Sequence, residues 1–306
     1  MARTRFPADA GLTSRMALVM FLLGALFVAV FVGVLVYAQS VVLALLIGGG
    51  LLAAQYFGSD KIAMASMRAR EVSAEQAPKL HGIIDRLCAL ADMPKPRVAM
   101  ADTPIPNAFA TGRNEQHAVV CVTTGLMQRL DESEVESVLA HELSHIAHRD
   151  VMVMTIAGFL GMVAGLVLRF AYYSSLFGGG RRRDDQGVPV VLVVMVGSVI
   201  VYAISFLLTR ALSRYRELSA DRAAAVLTGR PSTLASALTK VSGQMASIPT
   251  RDLRSAEPVS SLLFAPALSR KAKGGPSLSA IFSTHPPLEQ RLDQLARIEA
   301  DMGRSA

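Results

Sequence analysis

Cysteine is scarce in this sequence of 306 residues. The two cysteines, Cys88 and Cys121, are far apart and form no C-x-x-C pair. This spacing argues against a disulfide framework and is compatible with a reduced, cytoplasmic compartment. Because an unpaired cysteine usually packs like a small apolar residue, we expect both side chains in the core.

Aromatic residues are also few, at 6%, and the sequence contains no nucleic-acid-binding motif. The net charge of +7, from 31 basic and 24 acidic residues, is spread through the polar segments. A nucleic-acid-binding surface would gather basic residues and aromatics on one face. We therefore exclude nucleic acid as a partner and attribute the basic excess to orientation in a membrane.

Long apolar runs are abundant. Hydrophobic residues make up 52% of the chain and the mean hydropathy is +0.40, which is typical of a membrane protein. A helix needs about 20 apolar residues to cross a bilayer. Segment 16–57 contains two such runs and predicts a transmembrane hairpin. A cleaved signal peptide is the alternative, but the first run is longer than the apolar part of such a peptide. Segment 151–208 contains two further runs, joined by the basic loop 178–187.

Lysine and arginine predict the orientation of these runs. The tail 1–15 carries three arginines, and segment 58–150 carries many lysines and arginines, so the positive-inside rule places both segments in the cytoplasm. The three consecutive arginines of loop 178–187 should resist translocation. The apolar runs of 151–208 therefore either cross the bilayer or enter it from the cytoplasmic side, and segment 209–306 is cytoplasmic again.

The polar segments carry signals for helices and strands. Ser73-Ala-Glu-Gln76 and Asp131-Glu-Ser-Glu134 are capping boxes, each predicted to begin a helix. Residues 97–100 and 117–122 are β-rich, with PNAFATG between them, and predict a small antiparallel sheet. No breaker interrupts 210–227, which predicts that the helix of the fourth apolar run continues through it.

One helix carries a metal-binding pattern. His141-Glu-Leu-Ser-His145 fits H-E-x-x-H, and residues four apart share one face of a helix. Two imidazoles placed in this way can bind one zinc ion, with Glu142 beside them as the base. A merely polar helix face is the alternative. His148 lies about 10 Å along the axis from His141, too far to bind the same ion. We interpret it as a residue at the membrane interface or one that supports a ligand from outside the metal's own donor set.

A third ligand is required, and Glu217 is the best candidate. Its alternative is an ion pair with Arg214 on an exposed helix face. His141 and Glu217 each lie nine or ten residues from an apolar run, or roughly 14–15 Å along unbroken helices. Two antiparallel helices would thus bring both to a similar depth. Asp221 is one turn beyond Glu217 and could accept a hydrogen bond from a zinc-bound histidine, or else pair with a neighbouring arginine.

The ordered motifs resemble those of the HtpX family. They are His141-Glu142-x-x-His145, Glu217-x-x-Ala220-Asp221 and Ser283-Thr-His-Pro-Pro287. The family comprises heat-shock-induced bacterial membrane zinc endopeptidases, related to the CAAX-prenyl endopeptidases, and the resemblance spans nearly the whole chain. It implies one zinc ion per chain, bound by His141, His145 and Glu217, with Glu142 activating water.

The resemblance implies four further roles. His285 would stabilise the oxyanion and Arg291 would support it, whereas by itself His285 is only a lone histidine before a proline-started helix. The stretch PNAFA resembles the family's edge strand that pairs with substrate, so Asn107 and Ala108 are candidate backbone contacts. The arginine-rich loop 178–187 departs from the usual topology.

The predicted fold is a mainly α membrane protein. It has four transmembrane helices, the third and fourth complete or partial, and a cytoplasmic zincin-like α+β domain with a small β-sheet. The resemblance implies a function in quality control in the bacterial inner membrane, where the enzyme would degrade misfolded membrane proteins at the cytoplasmic face alongside the FtsH protease. A processing protease for one membrane or lipidated peptide is an alternative. A zinc-binding scaffold is another, which would not need Glu142.

Overall fold

The computed structural model describes residues 10–38, 41–112, 114–150, 153–154, 163, 165, 190–247 and 285–305. The tail to residue 9, nearly all of the third apolar run and the basic loop 178–187 lie outside the described residues, so the expectations for them stay predictions. The chain forms two compact units, of which the first comprises Met1–Leu12, Phe57–Met152 and Ser213–Ala306 and the second comprises Thr13–Tyr56 and Val153–Leu212.

The described residues of the second unit form apolar helices. Helix α1 spans Ala10–Ala38. Helix α2 spans Val41–Ser66, and its residues up to Tyr56 belong to this unit. Within the described residues, one helix, Met195–Thr228, is long and apolar enough to cross a membrane, with a mean hydropathy of 1.8 over an 18-residue window, and Thr13–Ala25 is a shorter apolar helix. Large apolar side chains are exposed in this unit, including Phe21 and Ile200.

The first unit contains a four-stranded sheet. Its strands are β1 (Arg70–Glu71), β2 (Arg97–Ala101), β3 (Ala108–Thr111) and β4 (Val119–Thr123), in the order β1-β2-β4-β3. The prediction of an antiparallel sheet was wrong for its central pair, because β2 and β4 run parallel. The reason lies in the PNAFATG stretch, which forms the strand β3 and returns antiparallel along β4.

The described part of this unit also contains the end of α2 and the end of helix α6, which spans Val190–Thr228. Within the same described residues, five further α-helices and one 3₁₀ turn accompany the sheet. The helices are α3 (Pro78–Ala91), α4 (Thr124–Met127), α5 (Glu132–Ala147), α7 (Pro231–Ser247) and α8 (Leu288–Ser305), and the 3₁₀ turn is Glu115–His117. The predicted continuation of the helix through 210–227 is confirmed, since α6 is unbroken over 39 residues.

The two predicted capping boxes differ in outcome. At α5, Asp131 accepts from the backbone of Glu134 and the Glu134 carboxylate accepts from the backbone of Asp131, so this box is complete. At Ser73 the Gln76 side chain accepts from the Ser73 backbone at 2.9 Å, but the segment is a turn and α3 begins only at Pro78. Proline at the first helical position has no N–H to be capped, so the helix begins there.

The main core lies between one face of the sheet and helices α3, α5 and α7. Leu87, Val120 and Leu139 are fully buried in it. On the other face, Ala63 near the end of α2 packs with small residues of the strands. Cys88 and Cys121 are both buried, which confirms their expected place in the core.

Helix α5 does not continue unbroken toward the apolar run, contrary to the assumption used for the ligand depths. It ends at Ala147, and Arg149 adopts a left-handed conformation with φ of 56° before Asp150 resumes the helix. Residues other than glycine, asparagine and aspartate rarely adopt a backbone conformation with positive φ. The chain therefore changes direction two residues after α5 ends.

Candidate metal centre

Three predicted ligand residues meet in the first unit. His141 and His145 lie one turn apart on α5, and their Nε2 atoms are 3.2 Å apart. Glu217, on α6, places Oε2 3.7 Å from Nε2 of His141 and Oε1 3.6 Å from Nε2 of His145. All three side chains are buried.

This donor set fits a tetrahedral cation. Zinc binds imidazole nitrogen and carboxylate oxygen at about 2.0–2.2 Å, so donors at two corners of a tetrahedron are about 3.3 Å apart. The two imidazole nitrogens, 3.2 Å apart, agree with that value. The Glu217 carboxylate approaches each of them with a different oxygen, at 3.7 and 3.6 Å, and one donor atom from each residue lies within 4.8 Å of the others. Among the residues that the structure describes, these three form the one His/Cys/Asp/Glu group close enough to hold a metal ion. Three protein ligands leave a fourth corner for water or substrate.

Asp221 lies behind the first histidine. Its Oδ1 is 3.0 Å from Nδ1 of His141, the ring nitrogen on the side away from the other donors. Arg291 donates two hydrogen bonds to the same carboxylate, from Nη2 at 2.6 Å and from Nε at 2.7 Å. Burial by itself would raise the pKa of a carboxyl, but the paired guanidinium and imidazole keep Asp221 in its charged form. The arginine predicted to support His285 thus contacts Asp221 and lies 3.7 Å from Glu217.

Asp150 lies behind the second histidine, and the sequence prediction missed it. Its Oδ2 is 2.6 Å from Nδ1 of His145, and Nε of Arg216 is 3.0 Å from the same oxygen. Burial acts to raise the pKa of Asp150, but Arg216 and His145 outweigh it and lower the pKa. The signal available in the sequence was an aspartate five residues after the second histidine, at the last polar position before an apolar run.

Glu142 faces strand β3. It is 5% exposed, and the backbone of Ala110 hydrogen-bonds to its carboxylate. Burial raises the pKa of Glu142 to about 7. A carboxyl with this pKa exchanges protons readily near neutral pH, as a general base must. A cation at the three donors would favour the charged form and lower this pKa.

Strand β3 lies at one edge of the described sheet. The N–H and C=O groups of successive residues along it point alternately toward β4 and toward the edge. Asn107 donates its N–H to Oγ1 of Thr123 and accepts from the Thr123 N–H, both at 2.9 Å, so its backbone is engaged within the sheet. By the alternation of an antiparallel pair, Ala108 and Ala110 direct their backbone groups to the edge. The N–H of Ala110 donates to Glu142, so the edge-facing backbone groups that remain for a further strand are those of Ala108 and the carbonyl of Ala110, whereas the backbone of Asn107 is engaged with Thr123.

His285 reaches the centre from the segment that leads into α8. Its Nδ1 lies 2.9 Å from Oε2 of Glu217, and the side chain is buried. The structure thus brings His285 to the third ligand, although 68 residues separate them. His148, half-buried at the end of α5, does not belong to the donor group.

Comparison with known proteins agrees with this chemistry. Residues 74–299 match the sequence profile of Peptidase family M48. The chain is 56% identical over 303 residues to Protease HtpX homolog 1 of Streptomyces coelicolor, covering 99% of this chain and 98% of that protein. It is 51% identical over 306 residues to a Protease HtpX homolog of Moorella thermoacetica, covering 98% of each. The crystal structure of S. mikatae Ste24p aligns with a TM-score of 0.46 at 17% identity, over 89% of this chain and 66% of that one.

Proposed function

The chain belongs to peptidase family M48 and is a membrane-bound metalloendopeptidase, and from this premise we propose that its ion is zinc, bound by His141, His145 and Glu217. The observation that carries the proposal is the convergence of one donor atom from each residue to within 4.8 Å, with the two imidazole nitrogens 3.2 Å apart, close to the edge of a zinc tetrahedron. Two neutral imidazoles and one carboxylate are also a ligand set of known catalytic zinc sites.

The reaction is hydrolysis of a peptide bond. When bound, zinc polarises the scissile carbonyl and lowers the pKa of a water molecule. Glu142 accepts the proton of that water and later passes it to the leaving nitrogen. Its burial supports this role, because it raises the pKa of the carboxyl to about 7. The hydrogen bond with the Ala110 backbone holds the carboxylate beside the strand along which the substrate would lie.

We propose that an extended substrate segment adds to the sheet at β3. The backbone groups of Ala108 and the carbonyl of Ala110 would pair with it, as in other cases of strand addition. Main-chain pairing demands no particular side chains, so low sequence specificity follows. His285 would oppose the negative charge that develops on the carbonyl oxygen, and the position of its ring beside Glu217 supports this role.

The cellular role and topology are part of the same proposal. We propose that the apolar segments 16–57 and 151–208 form four membrane helices, and that 58–150 and 209–306 form the protease domain on the cytoplasmic side of the inner membrane. The substrates would be misfolded or damaged membrane proteins, cleared alongside the FtsH protease. Membership of a peptidase family argues against the scaffold alternative.

Two variants test the centre. Glu142→Gln is expected to keep its zinc and to cleave casein about 10²–10⁴-fold more slowly than the wild type, because a general base contributes about that factor. Glu217→Ala should lose zinc as well as activity, because two histidines alone hold the ion weakly. Both proteins are purified in detergent, and zinc is measured by elemental analysis.

Glu132→Gln is the matched control, since Glu132 is exposed on the first turn of the same helix. It should keep both zinc and activity. Wild-type cleavage by Glu142→Gln would remove Glu142 from the mechanism. Full zinc occupancy in Glu217→Ala would show that the third ligand is another residue.

A further inference from the structure

We propose that Asp150 and Arg216 form a positioning pair that fixes the ring of His145 and, with it, the approach of Glu217. This inference rests on the proposed zinc centre and extends it to two residues outside the ligand set. Oδ2 of Asp150 lies 2.6 Å from Nδ1 of His145 and 3.0 Å from Nε of Arg216. The order of contacts is thus arginine, carboxylate, imidazole.

The first step of the argument concerns the ring of His145. A hydrogen bond from Nδ1 to Asp150 places the proton on Nδ1 and leaves the Nε2 lone pair free to bind an ion. That Nε2 is the atom 3.2 Å from Nε2 of His141 and 3.6 Å from Glu217. A carboxylate behind a ligating imidazole also restricts rotation of the ring. Asp150 is 1% exposed, so water cannot readily replace it.

The second step concerns the route of the chain. In an unbroken helix, five residues correspond to a rotation of about 140°, so residue 150 would face away from His145. The helix instead ends at Ala147, and the left-handed Arg149 turns the chain so that Asp150 returns to the histidine. A non-glycine residue is uncommon in this region, and here its conformation ends the helical path and places the Asp150 carboxylate against the ring.

The third step concerns the partner helix. Arg216 precedes Glu217 directly on α6, and its side chain is 10% exposed. Its contact with Asp150 therefore joins the end of α5 to α6 one residue from the third ligand. The same arrangement occurs at the other histidine, where Arg291 holds Asp221 against His141. The centre thus has two arginine–carboxylate pairs, one behind each imidazole.

The test is zinc affinity, measured by competition with a chromophoric chelator on the full chain purified in detergent. Asp150→Asn should weaken zinc binding by about 10–100-fold, the effect typical of losing a carboxylate behind a zinc-bound histidine. Arg216→Met should weaken it in the same direction, and Arg216→Lys should restore part of the loss. Replacement of zinc by cobalt gives a second measurement, because the visible spectrum reports the geometry at the ion.

Arg149 supplies a pair of variants that leave the ligands and Asp150 intact. Its side chain is 52% exposed. Arg149→Gly should bind zinc as the wild type does, because glycine adopts positive φ freely. Arg149→Val should weaken binding, because a β-branched residue resists this conformation. If Asp150→Asn fails to fold, the zinc affinities of Arg149→Gly and Arg149→Val test the positioning role instead.

Asp60→Asn is the matched control. Asp60 is a buried carboxylate paired with Arg97, elsewhere in the same unit, and its loss should leave zinc affinity unchanged. Wild-type affinity and an unchanged cobalt spectrum in folded Asp150→Asn would overturn the positioning role. That outcome is distinct from failure of the zinc centre itself, which retained zinc in Glu217→Ala would reveal.

Discussion

Replacing Glu142 by glutamine is expected to stabilise the zinc-free protein at alkaline pH while removing its activity. The carboxyl is 5% exposed, and burial, with a smaller contribution from the charge of Glu217, raises its pKa to about 7 from the ordinary value of 4.5. That difference corresponds to a free-energy penalty of about 3 kcal/mol on the folded state when the carboxyl is charged. Glutamine has a similar shape and carries no charge, so it avoids the penalty.

The sign follows from proton binding. Below pH 4.5 the carboxyl is protonated in both the folded and the unfolded chain, and the variant and the wild type should be equally stable. Between pH 4.5 and 7 only the folded chain keeps the proton, so the stability of the wild type falls as pH rises. Above pH 7 the full penalty applies. We expect Glu142→Gln to exceed the wild type there by up to about 3 kcal/mol, or about 6–12 °C in Tm.

The assay is thermal unfolding in detergent with a zinc chelator, at several pH values from 4 to 9. Glu132→Gln, on the exposed first turn of α5, should follow the wild type at every pH. Excess zinc should shrink the difference for Glu142→Gln, because a neighbouring cation stabilises the charged carboxylate. A constant difference between variant and wild type across this pH range would refute the reasoning, since it would show that the charge of Glu142 is not the cause.

Two further changes test the packing around the centre. Arg291→Met leaves the buried carboxylate of Asp221 without its two-bond partner and should lower the free energy of unfolding by about 3–5 kcal/mol. In thermal unfolding, the double variant with Asp221→Asn should lose less stability than the sum of the two single variants. Additive losses would contradict the pairing. Glu134→Ala removes the Glu134 side-chain half of the capping box of α5 and the bonds to Ser236 and Lys240, at 2.7 and 2.6 Å. It should lower the free energy of unfolding by about 1–3 kcal/mol, and a loss below about 0.5 kcal/mol would show that this cap contributes little.

The parts of the fold that local rules determine could be predicted from the sequence. Four-residue spacing on a helix sufficed to place His141 beside His145, because one turn of helix brings them together. The absence of glycine and proline between Arg210 and Leu227 sufficed to predict the uninterrupted α6. Glu217 required a comparison of distances along two helices, which gave similar depths although one of the helices proved to be broken.

Non-local pairing and unusual backbone could not be predicted in this way. The strand preference of residues 97–100 and 117–122 was visible, but the parallel alignment of the two strands depends on where β3 inserts. Asp150 was missed because helical geometry directs residue 150 away from His145, and only the left-handed conformation of Arg149 reverses this. No local pattern in the sequence predicts a positive φ at an arginine.

The burial of both cysteines has a practical consequence. Burial raises the pKa of Cys88 to about 11 and of Cys121 to about 12, so neither forms the reactive thiolate at neutral pH. Membrane-impermeant maleimides should therefore leave the native chain unlabelled. A single cysteine introduced at Gln186, within the basic loop, would become the sole target of the reagent, and labelling of intact cells against broken ones would reveal on which side of the bilayer that loop resides.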